Sequence, residues 1–189
     1  MPVSTTVESP PPHDLQRVID FVNTLDFETH TDELATADGL AAWLAARGLL
    51  DPAASPLSEA HRRQATGLRD ALRTVMLGHN GLASDPDAAS ELDRVAQAGR
   101  LSVQFTDDGS PRLRPLASGS AGALAGLLVP VVEADADGSW RRVKACRADD
   151  CQWAFYDHSR NRSGVWCDMA VCGNRTKVRA YRARRPGPG

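Results

Sequence analysis

The four cysteines of this 189-residue chain all fall in its last quarter, as Cys146, Cys151, Cys167 and Cys172, with the spacing C-x4-C-x15-C-x4-C. Two close pairs separated by a hairpin-sized gap suit one tetrahedral metal, because two short loops then deliver two thiolates each to a single point. Soft thiolates select zinc, and a four-thiolate shell leaves no open position for chemistry, so the expected cofactor is a structural Zn2+. Two residues is the common gap within a pair, and four is still within the tolerated range. Two disulfides are the competing arrangement and would need an oxidising compartment. A redox or nucleophilic cysteine ranks below both, since all four are accounted for as ligands.

The net charge of −2 conceals an asymmetry. From Ser139 onward there are 12 Lys and Arg against 4 Asp, a formal +8, while the first 138 residues carry 10 basic and 20 acidic residues, a formal −10. A basic module attached to an acidic body points to a nucleic acid or another polyanion as partner. A four-thiolate zinc site carries net negative charge and wants some cations nearby, which accounts for a few of these arginines and not for all. Hydrophobic residues make up 42% of the chain, enough for a real core, and aromatics only 5%, so Leu, Val and Ala must build it. No apolar run is expected to reach transmembrane length, and the N-terminus lacks the pattern of a secretory signal. The expected compartment is the cytoplasm, where thiols stay reduced and free to bind metal.

Periodicity predicts an α+β protein. Residues 1–12 end in a proline run and read as a disordered lead-in. Leu15, Val18, Ile19, Val22 and Leu25 form a helical stripe with Asp14 as its cap. A second helix is expected from Ala37 to Arg47, stopped by Gly48. Ser58 opens a longer one that ends at Gly78, and Asp85-Pro86 starts another. Leu101, Val103 and Phe105 then alternate with polar residues as a half-buried strand that turns at Asp107–Ser110 and returns from Arg112 to Leu116. Residues 120–129 read as a buried helix that Pro130 ends or kinks, and Ala134–Gly138 as an acidic linker. The domain plan is therefore a helical body with one β-hairpin over 13–138, a zinc module over 139–185 and a disordered tail over 186–189.

The stretch Cys167-Asp-Met-Ala-Val-Cys172-Gly173-Asn174-Arg175, with Lys177 after it, resembles the signature of the CGNR zinc fingers. Cys151-Gln-Trp-Ala-Phe155-Tyr-Asp157-His-Ser159-Arg160-Asn161 and Trp166 before Cys167 agree with it. Phe21-Val-Asn23-Thr24-Leu-Asp26, followed by Leu40, Trp43, Leu44 and Gly48, resembles the ABATE domain that usually precedes such fingers. Together the two likenesses cover nearly the whole chain. Gly164-Val165 stands where the finger family often has basic residues, and Asp168 where it often has Ser. The resemblance implies a bacterial transcription regulator linked to stress.

Within the module, the expected arrangement is treble-clef-like: a knuckle at the first cysteine pair, a hairpin of 153–157 with 163–166, and a final helix from Asn174 to Arg184. Trp153, Phe155 and Trp166 are expected to cover the metal and pack on that helix. Arg175, Arg179 and Arg182 share one helical face, and Lys177, Arg184 and Arg185 extend the charge around it. With Arg160 and Arg162 at the hairpin tip, this is the candidate DNA-binding surface, Arg being the side chain that both clamps phosphate and reads guanine. Asn174 is expected to cap the helix or bond a sulfur, and Asp157 to pin the hairpin or pair with a nearby Arg. Asn23 and Thr24, polar residues in an apolar helix, are a candidate effector pocket, with local backbone bonding as the plainer alternative. No catalytic constellation is found, so no enzyme is expected. A lone finger contacts few base pairs, so a homodimer is the candidate assembly. The alternative function is a finger that docks protein or RNA.

Overall fold

The computed structural model describes residues 9–51, 53 and 55–183. The expected tail at 186–189, Arg184, Arg185 and the first eight residues of the lead-in lie outside these. Chain order runs α1 (Leu15–Val22), β1 (Leu25–Asp26), β2 (Thr31–Asp32), α2 (Ala37–Ala46), α3 (Glu59–His79), α4 (Pro86–Ala98), β3 (Leu101–Phe105), β4 (Pro111–Pro115), α5 (Gly119–Gly126) and α6 (Val129–Ala136). A 3-10 turn at Trp140–Arg142 then leads into β5 (Val143–Ala145), β6 (Ala154–Tyr156), a π-helical turn (Met169–Gly173) and α7 (Asn174–Ala183).

Local chemistry sets the starts of three helices. Thr36 accepts from Gly39 N to start α2, and Gly48, at φ +66°, ends its run. Ser58 and His61 close a reciprocal capping box at the start of α3. Asp85 caps α4 with Pro86 at its first position. Asp14 does not cap α1: its backbone is left-handed and its carboxylate pairs with Arg17 at 2.7 Å instead. Pro130 likewise stands in the first turn of a helix, α6, whose last residues occupy most of the expected acidic linker. The stretch Gly119–Ala136, mean hydropathy 1.2, is long and apolar enough to cross a membrane by length and composition alone. Here its Ala123, Leu124, Leu127 and Leu128 pack into the protein core.

Among the described residues the three sheets are each two-stranded and antiparallel: β1–β2, β3–β4 and β5–β6. The front domain thus has a second small hairpin, β1–β2, too short to leave a period in the sequence. In β3–β4 the expected half-burial fails at the tip, where Val103 is 58% and Phe105 71% exposed. The hairpin packs on α4 and α5, with Leu101 at its base against the core.

One apolar core spans both halves of the chain. Trp140, Val143, Ala145 and Ala154 of the zinc module join Leu15, Phe21, Leu68, Leu72 and Met76 of the helical body. The long helix α3 carries strand β5 along its C-terminal half. Two buried arginines on α3 secure the segment after α1. Arg69 donates to Asp32 Oδ1 and Oδ2 at 2.6 and 3.1 Å, and Arg73 donates to Val22 O and Leu25 O at 2.6 and 3.3 Å. Burial pushes the Arg73 guanidinium down to about 10, so it remains charged.

Candidate metal centre and basic helix

The four cysteine sulfurs converge, all within 4.8 Å of one another. Cys151 Sγ lies 3.5 Å from Cys167 Sγ, and Cys167 Sγ 3.7 Å from Cys172 Sγ. A tetrahedron of sulfurs with zinc–sulfur bonds of about 2.3 Å has edges of about 3.8 Å. The spacing therefore fits one shared ion and is too wide for a disulfide. The zinc assignment rests on this cluster, with both pairs contributing to a single centre.

Each pair is delivered by its own turn. Cys146 N donates to Trp153 O, Cys151 N donates to Ala148 O, and Gln152 at φ +50° reverses the chain. Asp168 organises the second pair: its carboxylate accepts from Ala170 N at 2.7 Å and Val171 N at 3.0 Å, and its carbonyl accepts from Cys172 N. The residue that departs from the usual Ser is thus the cap of the π-helical turn. Gly173 is buried where an added Cβ would meet the Met169 side chain and stand 3.0 Å from Trp166 Cδ1, so the glycine lets both side chains close over the turn. Trp166 covers the sulfurs as expected, whereas Trp153 is 38% exposed.

The thiols cannot all ionise side by side without a cation. A hydrogen bond from Cys167 stabilises the Cys146 thiolate and lowers its pKa to about 5. The same bond, with burial, pushes Cys167 up, and burial pushes Cys151 up to about 12. Bound Zn2+ supplies the positive charge that lets all four act as thiolates.

The expected hairpin of 153–157 with 163–166 does not form. β6 pairs instead with β5, with Val143 opposite Tyr156 and Ala145 opposite Ala154. Residues 158–165 make a loop held by a buried ion pair, in which Asp157 pairs with Lys144, a partner sequence reading missed, and not with a nearby Arg. Lys144 Nζ donates to Asp157 Oδ2 at 2.7 Å, Arg162 O at 2.6 Å and Gly164 O at 2.9 Å. Asp157 also accepts from Ser159 N and Gly164 N. Burial would raise this carboxyl, but the bonds from Lys144, Ser159 and Gly164 outweigh it and hold the pKa at about 2. One signal was present: Lys144 is one of only two lysines in the chain and lies between Val143 and Ala145.

Asn80, also missed, reaches from the end of α3 to both cysteine arms. Its Nδ2 donates to Ala145 O at 2.9 Å and Val165 O at 2.8 Å. Asn23 engages the finger too. Ala154 N donates to its Oδ1 at 2.7 Å, and its Nδ2 donates to Ala154 O at 3.0 Å. Thr24 is buried, donates to Phe21 O and accepts from Arg69. Both residues of the candidate effector pocket are therefore engaged in bonds within the protein, although Asn23 also borders a cleft with Trp153 and Phe155.

On α7, two of the three arginines of the stripe pair with acidic residues of the protein. Arg175 donates to Glu28 at 2.9 Å and to Cys172 Sγ at 3.5 Å, and lies 3.5 Å from Asp150. Arg179 donates to Asp150 at 2.7 Å. Arg175 is thus a cation beside a ligand thiolate. Lys177 and Arg182 are exposed and, among the described residues, make no ion pair; Arg160 and Arg162 are exposed on the 158–165 loop. Asn174 neither caps nor meets a sulfur: it lies within the helical run and donates to Ala170 O.

The family profile of the CGNR zinc finger matches residues 142–185. The ABATE profile, described as "Putative stress-induced transcription regulator", matches residues 15–138. No curated protein matches the chain.

Proposed function

The chain belongs to the ABATE family and carries a CGNR zinc finger at its C-terminal end, and from that premise we propose a transcription regulator that contacts DNA through the outward cations of α7. The family description supports regulation. The observation that carries the DNA reading is the exposure of Lys177 and Arg182, without ion pairs among the described residues, on a helix fixed at one end by the metal centre. Such cations meet phosphates, and Arg160 and Arg162 extend the surface. On this reading the protein acts in the cytoplasm, the zinc is structural and the protein has no catalytic role. The helical body senses a small molecule or pairs with a second copy, since one finger alone contacts few base pairs.

The test is fluorescence anisotropy of the zinc-loaded full chain with duplex DNA, single-stranded DNA and RNA across a salt series. Duplex binding that weakens steeply with salt supports the proposal, and its slope counts phosphate contacts. No salt-dependent binding to any nucleic acid overturns it. The second reading, a protein-docking finger, draws on Val171 and Val178, 51% and 47% exposed beside these cations.

A further inference from the structure

A cleft of about 520 Å³ opens where the helical body meets the turn leading into the finger. Val75 on α3, Leu82 beyond it and Trp140 of the 3-10 turn give it an apolar wall. Its polar side is His79 with Asp85 and Asp135, and Arg141 is the one cation of the lining.

The hydrogen-bonding sense of this polar side is set by the backbone. His79 Nδ1 lies 2.8 Å from Val143 O, and a carbonyl only accepts, so Nδ1 carries the proton. In the neutral ring Nε2 is then an acceptor. Burial lowers the His79 pKa and favours that neutral form, with Asp135 opposing the shift and Arg141 and Lys144 adding to it. Asp85 uses one oxygen to cap α4 at Asp87 N, and its other oxygen remains available. An imidazole and two carboxylates line the cleft together with the Trp140 indole, Val75 and Leu82, the complement of a protonated amine on an apolar body.

The same elements grip the metal centre. His79 holds Val143 at the start of β5, its ring stacks edge-on to Trp140 at 5.2 Å, and the adjacent Asn80 bonds the carbonyls just before both cysteine pairs. We infer that this cleft binds a small organic cation with an apolar body, and that its wall is mechanically joined to the zinc module. The inference stands apart from nucleic-acid binding.

The zinc-loaded full chain is titrated with phenethylamine and followed by amide NMR. Saturable shifts are expected at Val75, Leu82 and Trp140 and onward at Val143, Ala145 and Val165. Hydrocinnamate, the matched carboxylate, gives none at equal concentration. Ala89→Phe, at an exposed lining position, fills the cleft and abolishes the shifts. Asp135→Asn, also exposed, weakens binding about tenfold, the worth of one charge-assisted bond. An equal response to hydrocinnamate, no saturable shift, or binding that survives Ala89→Phe overturns the site. Shifts that stop at Trp140 overturn the link to the finger.

Discussion

The Asn23 carboxamide and the Ala154 peptide form a two-bond clamp, with both the amide N–H and the carbonyl of Ala154 engaged by one side chain. The clamp extends β6 on the side away from β5 and joins α1 of the helical body to the strand after the first cysteine pair. Asn23→Ala removes both bonds and leaves a part-buried peptide unsatisfied. It should destabilise the chain by about 1–3 kcal/mol while zinc content stays unchanged. Urea denaturation followed by circular dichroism, with zinc assayed in parallel, checks this.

Lys144 and Asp157 are a buried pair, 4% and 3% exposed. Lys144→Met strands a buried carboxylate and should cost about 3–5 kcal/mol, whereas Lys144→Met with Asp157→Leu should recover part of that loss. Thermal unfolding of the two variants distinguishes a paired charge from simple packing.

The same carboxyl gives a pH signature. Its folded pKa of about 2 lies below the ordinary value of 3.8, so between these the unfolded chain binds more protons. Its contribution is complete above the unfolded pKa and is lost as pH falls through the folded one. Stability of wild type should therefore drop more steeply than that of Asp157→Asn as pH falls from about 5 to about 2. Parallel slopes would remove Asp157 as the cause.

Zinc removal tests the centre directly. A chelator should release about one ion per chain, and Cys167→Ser should bind zinc far more weakly, since four thiolates make one shell. Amide exchange should then rise first in 143–173, the segments the ion ties together. Metal analysis and hydrogen exchange check both outcomes.

The two kinds of cation on α7 should separate. Lys177→Ala with Arg182→Ala should lower the salt slope of duplex binding by about two and leave zinc affinity unchanged. Arg175→Ala should instead speed zinc loss to a chelator, because Arg175 donates to Cys172 Sγ. The reverse pattern would return the nucleic-acid role to Arg175.

Much of the site was legible in the sequence because its signals are local. Spacing alone placed four sulfurs at one centre, and the capping residues Ser58 and Asp85 marked the starts of α3 and α4. The misses share a cause: each depends on a neighbour far along the chain. The hairpin of 153–157 with 163–166 was a reasonable local pairing. However, β5 lies on α3 and pairs with β6. Arg175 and Arg179 share a face with Arg182, but only the fold brings Glu28 to that face.

The sequence by itself determined the metal, its four ligands, the helical body and the basic end, since ligand spacing, 3.6-residue periodicity and charge are written within short windows. Tertiary structure decided that the finger is not a separate bead on a linker. Its β5 completes the core on α3, and Asn23, Asn80 and His79 fasten it to the body. The physical reason is burial: so small a module has too little apolar surface to exclude water by itself, so it shares the core of the domain before it.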